Sequence, residues 1–212
     1  MAHDFDILVI GAGVSGIGVA CRLSDRFPGK SLAILERRQT IGGTWDLFRY
    51  PGIRSDSDMF TYSYEFRPWD KADIFAGAAT IKDYVADTAD EYGIRDKIRF
   101  GRKVIGANWQ SAESTWTVKV LDEQSGETET YTCQFLIACT GYYDYAQGFM
   151  PDFEGIEDYE GRLVHPQHWP EDLDYNGKRV VVIGSGATAA TLVPVMAKTA
   201  GHVTIVQRSP SY

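Results

Sequence analysis

The sequence predicts an α/β fold in which one unit occurs twice: a buried strand, a glycine turn, a helix and a second buried strand. Three observations predict it. An apolar stretch from Asp6 to Ile10 stops at Gly11-Ala12-Gly13-Val14-Ser15-Gly16. Another, from Arg179 to Ile183, stops at Gly184-Ser185-Gly186-Ala187-Thr188-Ala189. Between the two, helical spacing of apolar residues gives way to strand-like runs separated by turn residues, which predicts an antiparallel meander inserted ahead of the second unit.

The first unit opens with Asp6 to Ile10, continuous enough in apolar residues to be a parallel strand covered on both faces. Its turn has the G-x-G-x-x-G spacing, in which Gly11 permits the reversal, Gly13 lets the backbone approach a pyrophosphate and Gly16 lets helix and sheet pack closely. The helix from Val14 to Phe27 then aims its N-terminal amides at that phosphate, with Ser15 in its first turn. A glycine turn alone serves packing as readily. The succession decides: the strand Ser31 to Leu35 ends in Glu36, about 20 residues after Gly16, where a carboxylate can accept ribose hydroxyls rather than stand as a solvated strand-end charge.

Residues 42–56, Gly-Gly-Thr-Trp-Asp-Leu-Phe-Arg-Tyr-Pro-Gly-Ile-Arg-Ser-Asp, combine turn formers with aromatics and charges and read as a ligand-covering loop. Taken alone, Trp45 reads equally as core packing or as a wall for a flat ligand. Ser57 to Phe66 is expected to hold a short helix. Thr80 to Gly93 predicts a clearer one, with Thr80 and Asp83 as a capping box, Ile81, Tyr84, Val85, Thr88, Ala89 and Tyr92 on one face, and Gly93 just past the end. Strands follow over Arg99 to Trp109, Trp116 to Leu121 and Thr130 to Cys139, the last re-entering the main sheet. Gly141 to Asp158 reads as a linker.

In the second unit alanine takes the third glycine position, which concerns packing rather than reversal. Pro194 is expected to kink the helix or start a new turn. The strand His202 to Val206 ends in Gln207-Arg208 where the first unit ended in an acid. Loss of the acid removes repulsion toward a 2′-phosphate, and a guanidinium can bind one through two hydrogen bonds. The pattern therefore favours NADPH over NADH, against the plainer reading of a surface arginine.

The composition, 44% hydrophobic and 24% charged over 212 residues, is that of a globular chain, and a net charge of −8 argues against a nucleic-acid or anionic-membrane surface. No apolar stretch approaches the roughly 18 residues of a membrane span. With no leader pattern ahead of Ile7, a cytoplasmic protein is expected. Cys21, Cys133 and Cys139 have neither redox-pair nor metal-ligand spacing and are expected to be buried thiols, with no metal site.

Two further motifs carry a resemblance. Tyr159, Gly161, His165, Trp169 and Pro170 match F-x-G-x-x-x-H-x-x-x-W-P with Tyr for the leading Phe, and Gly43, Trp45, Tyr50, Pro51, Gly52 and Asp56 match G-x-W-x-x-x-x-Y-P-G-x-x-x-D. On these residues the chain resembles the type I Baeyer–Villiger monooxygenases of the flavin-containing monooxygenase superfamily. Related enzymes that oxygenate nitrogen or sulfur carry Tyr or Phe followed by Lys where Trp169-Pro170 stands. The resemblance implies FAD contacts from Ser15, Glu36, Thr44, Trp45, Asp46, Leu47, Asp56 and the backbone of Val104, beside Gly11, Gly13, Gly16 and Gly43. It implies NADP contacts from Arg54, Ser55, Asp56, Ile183, Gly184, Ser185, Gly186, Ala187, Thr188, Ala189, Gln207 and Arg208.

The implied activity uses NADPH, FAD and O2 to insert one oxygen atom into a small apolar ketone, or to oxidise a sulfide or thiocarbonyl. Asp56 and His165 would act in support, the latter at a hinge, and the principal catalytic arginine would lie beyond Tyr212. His165, beside His168, reads equally as a structural histidine. The expected organisation is an FAD-binding domain over 1–145, a linker over 146–177 and the start of an NADP-binding domain over 178–212. Two strands are few for a doubly wound sheet, so the chain reads as the N-terminal portion of a longer enzyme with an open sheet edge. A nucleotide-binding module without chemistry of its own is the alternative of a different class. The ketone and the oligomeric state stay open.

Overall fold

Leu8 and Val9 are wholly buried because the strand that carries them, β1 (Phe5–Ile10), is apolar on both faces and is paired on both edges. The computed structural model describes residues 3–210. The order after β1 is α1 (Val14–Arg26), β2 (Leu32–Leu35), α2 (Thr44–Leu47), α3 (Met59–Tyr62), α4 (Ala78–Glu91), β3 (Ile98–Arg99), β4 (Arg102–Gln110), β5 (Thr115–Asp122), β6 (Thr128–Ala138), β7 (Arg179–Ile183), α5 (Ala187–Met196) and β8 (His202–Val206). Contacts divide the chain into two compact units. One holds the chain up to Asp46 with Ala79–Tyr142, the other Leu47–Ala78 with the chain from Tyr143 onward.

The first unit is one sheet in the order β3-β2-β1-β6-β5-β4. β1, β2 and β3 run parallel, as the crossovers between them require. β6 joins both halves: Thr128 to Cys133 pair antiparallel with β5, and Cys133 to Ala138 run parallel to β1. This is the expected meander returning to the main sheet. Leu8, Ala33, Leu35, Val118, Val120 and Cys133 form its core, with Phe5, Val104 and Trp116 packed against them.

The structure corrects three details of the sequence reading. The strand expected over Arg99 to Trp109 is two strands, because Gly101 breaks it with φ +70°; β3 pairs with β2 and β4 with β5. α4 begins at Ala78, whose amide bonds the carbonyl of Ile53, so Thr80 lies inside the helix and is not its cap. Its buried face is the expected one up to Ala89, while Tyr92 is exposed and Gly93 ends the helix at φ +62°. Cys139 follows β6 instead of closing it. The helix expected within Ser57 to Phe66 is the single turn α3, capped by the Asp58 carboxylate accepting the amide of Thr61.

The second unit pairs β7 and β8 in parallel, Arg179 opposite His202 through Ile183 opposite Val206. Among the described residues these two strands pair only with each other, and Val181, Ile183, Ile205 and Val206 are exposed. α5 continues through Pro194 and ends two residues later at Met196. Leu192 and Met196 on α5 form a core with Leu47, Phe48 and Tyr50, joined by Ile53, Tyr145, Trp169, Tyr175, Val180 and Val203. Residues 47–78, expected in the first domain, therefore pack with the second crossover.

Candidate functional site

The first glycine turn is built by close approach. A Cβ on Gly16 would lie 1.8 Å from the carbonyl oxygen of Gly11, and one on Gly11, at φ +98°, would lie 2.5 Å from that of Cys139. Gly13 differs: it caps α1 in an extended conformation, and an added Cβ would meet only the Gly43 backbone at 3.5 Å, an ordinary contact. The protein's own packing thus requires glycine at Gly11 and Gly16 but not at Gly13. A phosphate brought against the backbone does require it there. α1 has no acidic residue in its first turn, so nothing in its sequence opposes an anion at that end.

Glu36 is 6% exposed. One carboxylate oxygen accepts the amide of Ala12 inside the glycine turn at 2.6 Å, the other the amide of Arg38 at 2.7 Å. Burial raises its pKa above the ordinary value, and these two amides oppose the rise. Each oxygen keeps a further lone pair in which it can accept a ribose hydroxyl. The acid thus has a second role that its spacing alone did not disclose: it ties the end of β2 to the turn.

Gly42 and Gly43 lie against this turn, the amide of Gly42 donating to the carbonyl of Ala12 at 3.1 Å, and both have positive φ. They lead into α2, where Thr44 and Trp45 are half-buried and Asp46 is buried. The Asp46 carboxylate, 2% exposed, accepts Lys82 Nζ at 2.6 Å and Arg38 Nε at 2.8 Å. Burial alone would raise its pKa, but the hydrogen bonds and charges of Lys82 and Arg38 hold it below the ordinary carboxylate range. Its side chain is committed to these cations, and its backbone is engaged as well: the amide donates to the Gly43 carbonyl at 3.1 Å and the carbonyl accepts Arg38 Nη2 at 3.3 Å. No sequence spacing announces this triad. Val104 lies where β4 shifts register against β5, the irregularity falling between Val104 and Gly106. Ser15 is exposed.

In the second unit Gly184 turns at φ +116° and Gly186 caps α5 in an extended conformation. A Cβ on either would meet nothing within 4 Å. Packing asks for glycine at neither, so this turn offers open ground over a helix N-terminus. Ile183 closes β7, Ala187 and Thr188 open the helix, and Ala189 is buried beneath it. Ser185 is half-buried, whereas Gln207 and Arg208, after β8, are exposed.

Leu47, expected at the flavin, Arg54 and Ser55, expected at NADP, and Asp56, expected at both, belong by packing to this second unit. The Ser55 amide bonds the carbonyl of Ala76 at 3.0 Å, Arg54 bridges to Gly77, and Arg54 and Asp56 are exposed.

The spaced signature acquires physical reasons. Tyr159 folds over Gly161, where a Cβ would lie 2.3 Å from the phenol ring. His165 Nδ1 accepts the amide of Gln167 at 3.2 Å, and its ring lies on Gly148, where a Cβ would lie 2.0 Å from the imidazole. Gln167 in turn donates to the carbonyl of Asp144. His165 therefore clips the 144–148 segment to the turn at Pro166–His168. Trp169 packs edge-on to Tyr175, in the cluster around Leu192.

Cys21 and Cys133 are buried free thiols, pushed up to about 11 by burial, and Cys139 is half-buried. Among the described residues no cluster of His, Cys, Asp and Glu could hold a metal, and no helix is long and apolar enough to cross a membrane.

A glycine turn followed by an acid, an antiparallel meander, and a second glycine turn followed by an arginine define the two-dinucleotide-binding flavoprotein fold. The chain belongs to the flavin-binding monooxygenase-like family, which residues 5–212 match. It is 60% identical over 216 residues to MymA of Mycobacterium tuberculosis, provisionally named an FAD-containing monooxygenase, covering all of this chain and 44% of that protein. It is 54% identical over 213 residues to the FAD-containing monooxygenase EthA of Mycolicibacterium smegmatis, covering 43% of it. The chain therefore spans less than half the length of these relatives. Among solved structures, OTEMO in complex with FAD and NADP superposes with a TM-score of 0.83 at 34% identity, over the whole of this chain and 40% of that one. A steroid monooxygenase bound to NADP does so at 0.83 and 32%, over 98% of this chain and 39% of that one. These structural neighbours are Baeyer–Villiger monooxygenases.

Proposed function

We propose that the protein is an FAD- and NADPH-dependent monooxygenase that inserts one atom of O2 into a small apolar ketone to give an ester or lactone, with sulfides as a second substrate class. The observation that carries the reading is the contrast among the glycines. Gly13 and Gly186 meet no atom that would exclude a Cβ, as expected where a pyrophosphate occupies the ground, while Gly11 and Gly16 are required by packing and Gly184 by its positive φ.

FAD when bound supplies the redox chemistry, reducing dioxygen with electrons from NADPH and passing one oxygen atom to substrate. The chain's own residues bind and orient. Gly11, Gly13 and Gly16 with α1 hold the FAD pyrophosphate, Glu36 holds ribose, and Gly43 to Leu47 with the Val104 backbone flank the rest. Gly184 to Ala189 hold the NADPH pyrophosphate, and Arg208, aided by Gln207, takes the 2′-phosphate. Arg54, Ser55 and Asp56 serve the nicotinamide end, and His165 fixes the segment ahead of the second crossover. The Trp169-Pro170 pair and the Baeyer–Villiger neighbours favour the ketone. The unpaired thiols suit a reducing, cytoplasmic compartment.

The test is product analysis with NADPH, O2 and either a cyclic ketone or an aryl sulfide. Lactone formation supports the proposal. Sulfoxide as the sole product would replace the ketone with a heteroatom substrate, and neither product, with no NADPH consumed, would remove the enzyme reading.

A further inference from the structure

The loop that carries Arg54, Ser55 and Asp56 is fastened to α5 at three points. Leu47, Phe48 and Tyr50 share a core with Leu192 and Met196. Gly52, at φ +81°, lies so close to the helix that a Cβ would fall 2.6 Å from Val195 Cγ2 and 2.8 Å from the carbonyl oxygen of Thr191. The hydroxyl of Tyr50, a residue 6% exposed, lies within reach of the Thr188 side chain in the first turn of α5, which opposes the rise that burial gives the Tyr50 pKa. The first two contacts grip the middle and end of the helix, whereas Tyr50 reaches the end that the glycine turn presents. Tyr50 also feels Asp56: burial raises its pKa and the Asp56 carboxylate adds to the rise. The Ile53 amide bonds the Tyr50 carbonyl at 3.2 Å, so the backbone leading to Arg54 is hydrogen-bonded directly to Tyr50.

We infer that Tyr50 is a positioning residue that passes occupancy of the second glycine turn, through Thr188, to the loop bearing Arg54 and Asp56. The inference rests on the reading that Gly184 to Ala189 receive NADPH. A phosphate at the N-terminus of α5 orders the first turn, including Thr188. Its hydroxyl then holds the Tyr50 hydroxyl in one place, and the loop follows because the buried Tyr50 ring is packed edge-on against Phe48 at 5.9 Å. An aliphatic side chain in place of Thr188 would keep the packing and lose the message.

Hydrogen exchange of the FAD-loaded protein with and without NADP+ tests this, read at residues 184–189 and 53–57; the Ser55 amide, bonded to Ala76, is a direct reporter. In the wild type NADP+ is expected to protect both segments. Tyr50→Phe, which keeps the ring, is expected to retain protection at 184–189 and lose it at 53–57. Thr188 lies within the proposed NADPH turn, so its variants are compared at NADP+ concentrations that protect 184–189 to the wild-type extent: there Thr188→Val should lose protection at 53–57, Thr188→Ser should keep it, and Tyr50→Phe with Thr188→Val together should be no worse at 53–57 than either alone. A merely structural role would lower thermal stability and FAD content without separating the segments. Protection of 53–57 that survives in Tyr50→Phe overturns the inference, as does a wild type in which only 184–189 responds. If 184–189 do not respond in the wild type, the NADPH reading itself fails and this inference with it.

Discussion

Glu36, at the end of β2, accepts the backbone amide of Ala12 in the first glycine turn at 2.6 Å, so the acid proposed to hold a ribose also holds the turn proposed to receive a pyrophosphate. The two functions share one carboxylate. Glu36→Gln offers one acceptor oxygen to two amides and turns an NH2 toward the other. A loss of about 1–3 kcal/mol in stability is expected, together with weakened FAD retention, read by chemical denaturation and by flavin absorbance. Loss of FAD with unchanged stability would mean that the Ala12 bond contributes nothing.

Gly16→Ala and Gly186→Ala form a contrasting pair. The first puts a methyl 1.8 Å from a carbonyl oxygen and is expected to give a misfolded or flavin-free protein. The second meets nothing within 4 Å and should leave the fold intact, while placing a methyl where the NADPH phosphate is proposed to approach. NADPH titration followed by thermal melting separates the two. Equal behaviour of the variants would contradict the assignment of open ground at the second turn.

Arg208→Ala should weaken NADPH by about 1–3 kcal/mol, roughly tenfold or more in Kd, and leave NADH almost unchanged. The exposed guanidinium follows β8 with no acid at Gln207 to repel a 2′-phosphate. Parallel titrations with both nucleotides read the difference, and equal losses would return Arg208 to the status of a surface residue.

Asp46 contributes to the acid limit of the first unit. Its carboxyl is held below the ordinary value of 3.8 in the folded chain, so the unfolded chain binds the proton first as pH falls. The stabilisation is complete above about pH 4 and is lost as pH falls through the lower folded value. Glu36, raised by burial, acts in the opposite sense and takes up its proton earlier in the folded chain. Asp46→Asn is expected to cost about 2–3 kcal/mol at neutral pH, below the full value for a buried pair because Arg38 and Lys82 stay partly solvated. It should also flatten the stability profile below pH 4, as urea unfolding at stepped pH would read.

The parts of the fold legible in the sequence are those with a local period. β7 and β8 begin and end where their apolar runs do, and Ile81, Tyr84, Val85, Thr88 and Ala89 are the buried face of α4 that their spacing announces. Gly101 was legible in principle, since a glycine within a strand pattern marks a break. The assignment of 47–78 to the second unit was not, because it depends on Leu47, Phe48 and Tyr50 meeting Leu192 and Met196 far along the chain. The same holds for the Asp46 triad with Arg38 and Lys82, and for Gly148 beneath His165. Motif spacing located these residues; only packing discloses their partners.

The most direct measurement is the flavin retained by the 212-residue chain after reconstitution with FAD and gel filtration, with Gly16→Ala beside it. The account predicts stoichiometric FAD on the wild type, bleached by NADPH under anaerobic conditions, and none on the variant. A folded wild type that elutes without flavin would contradict it.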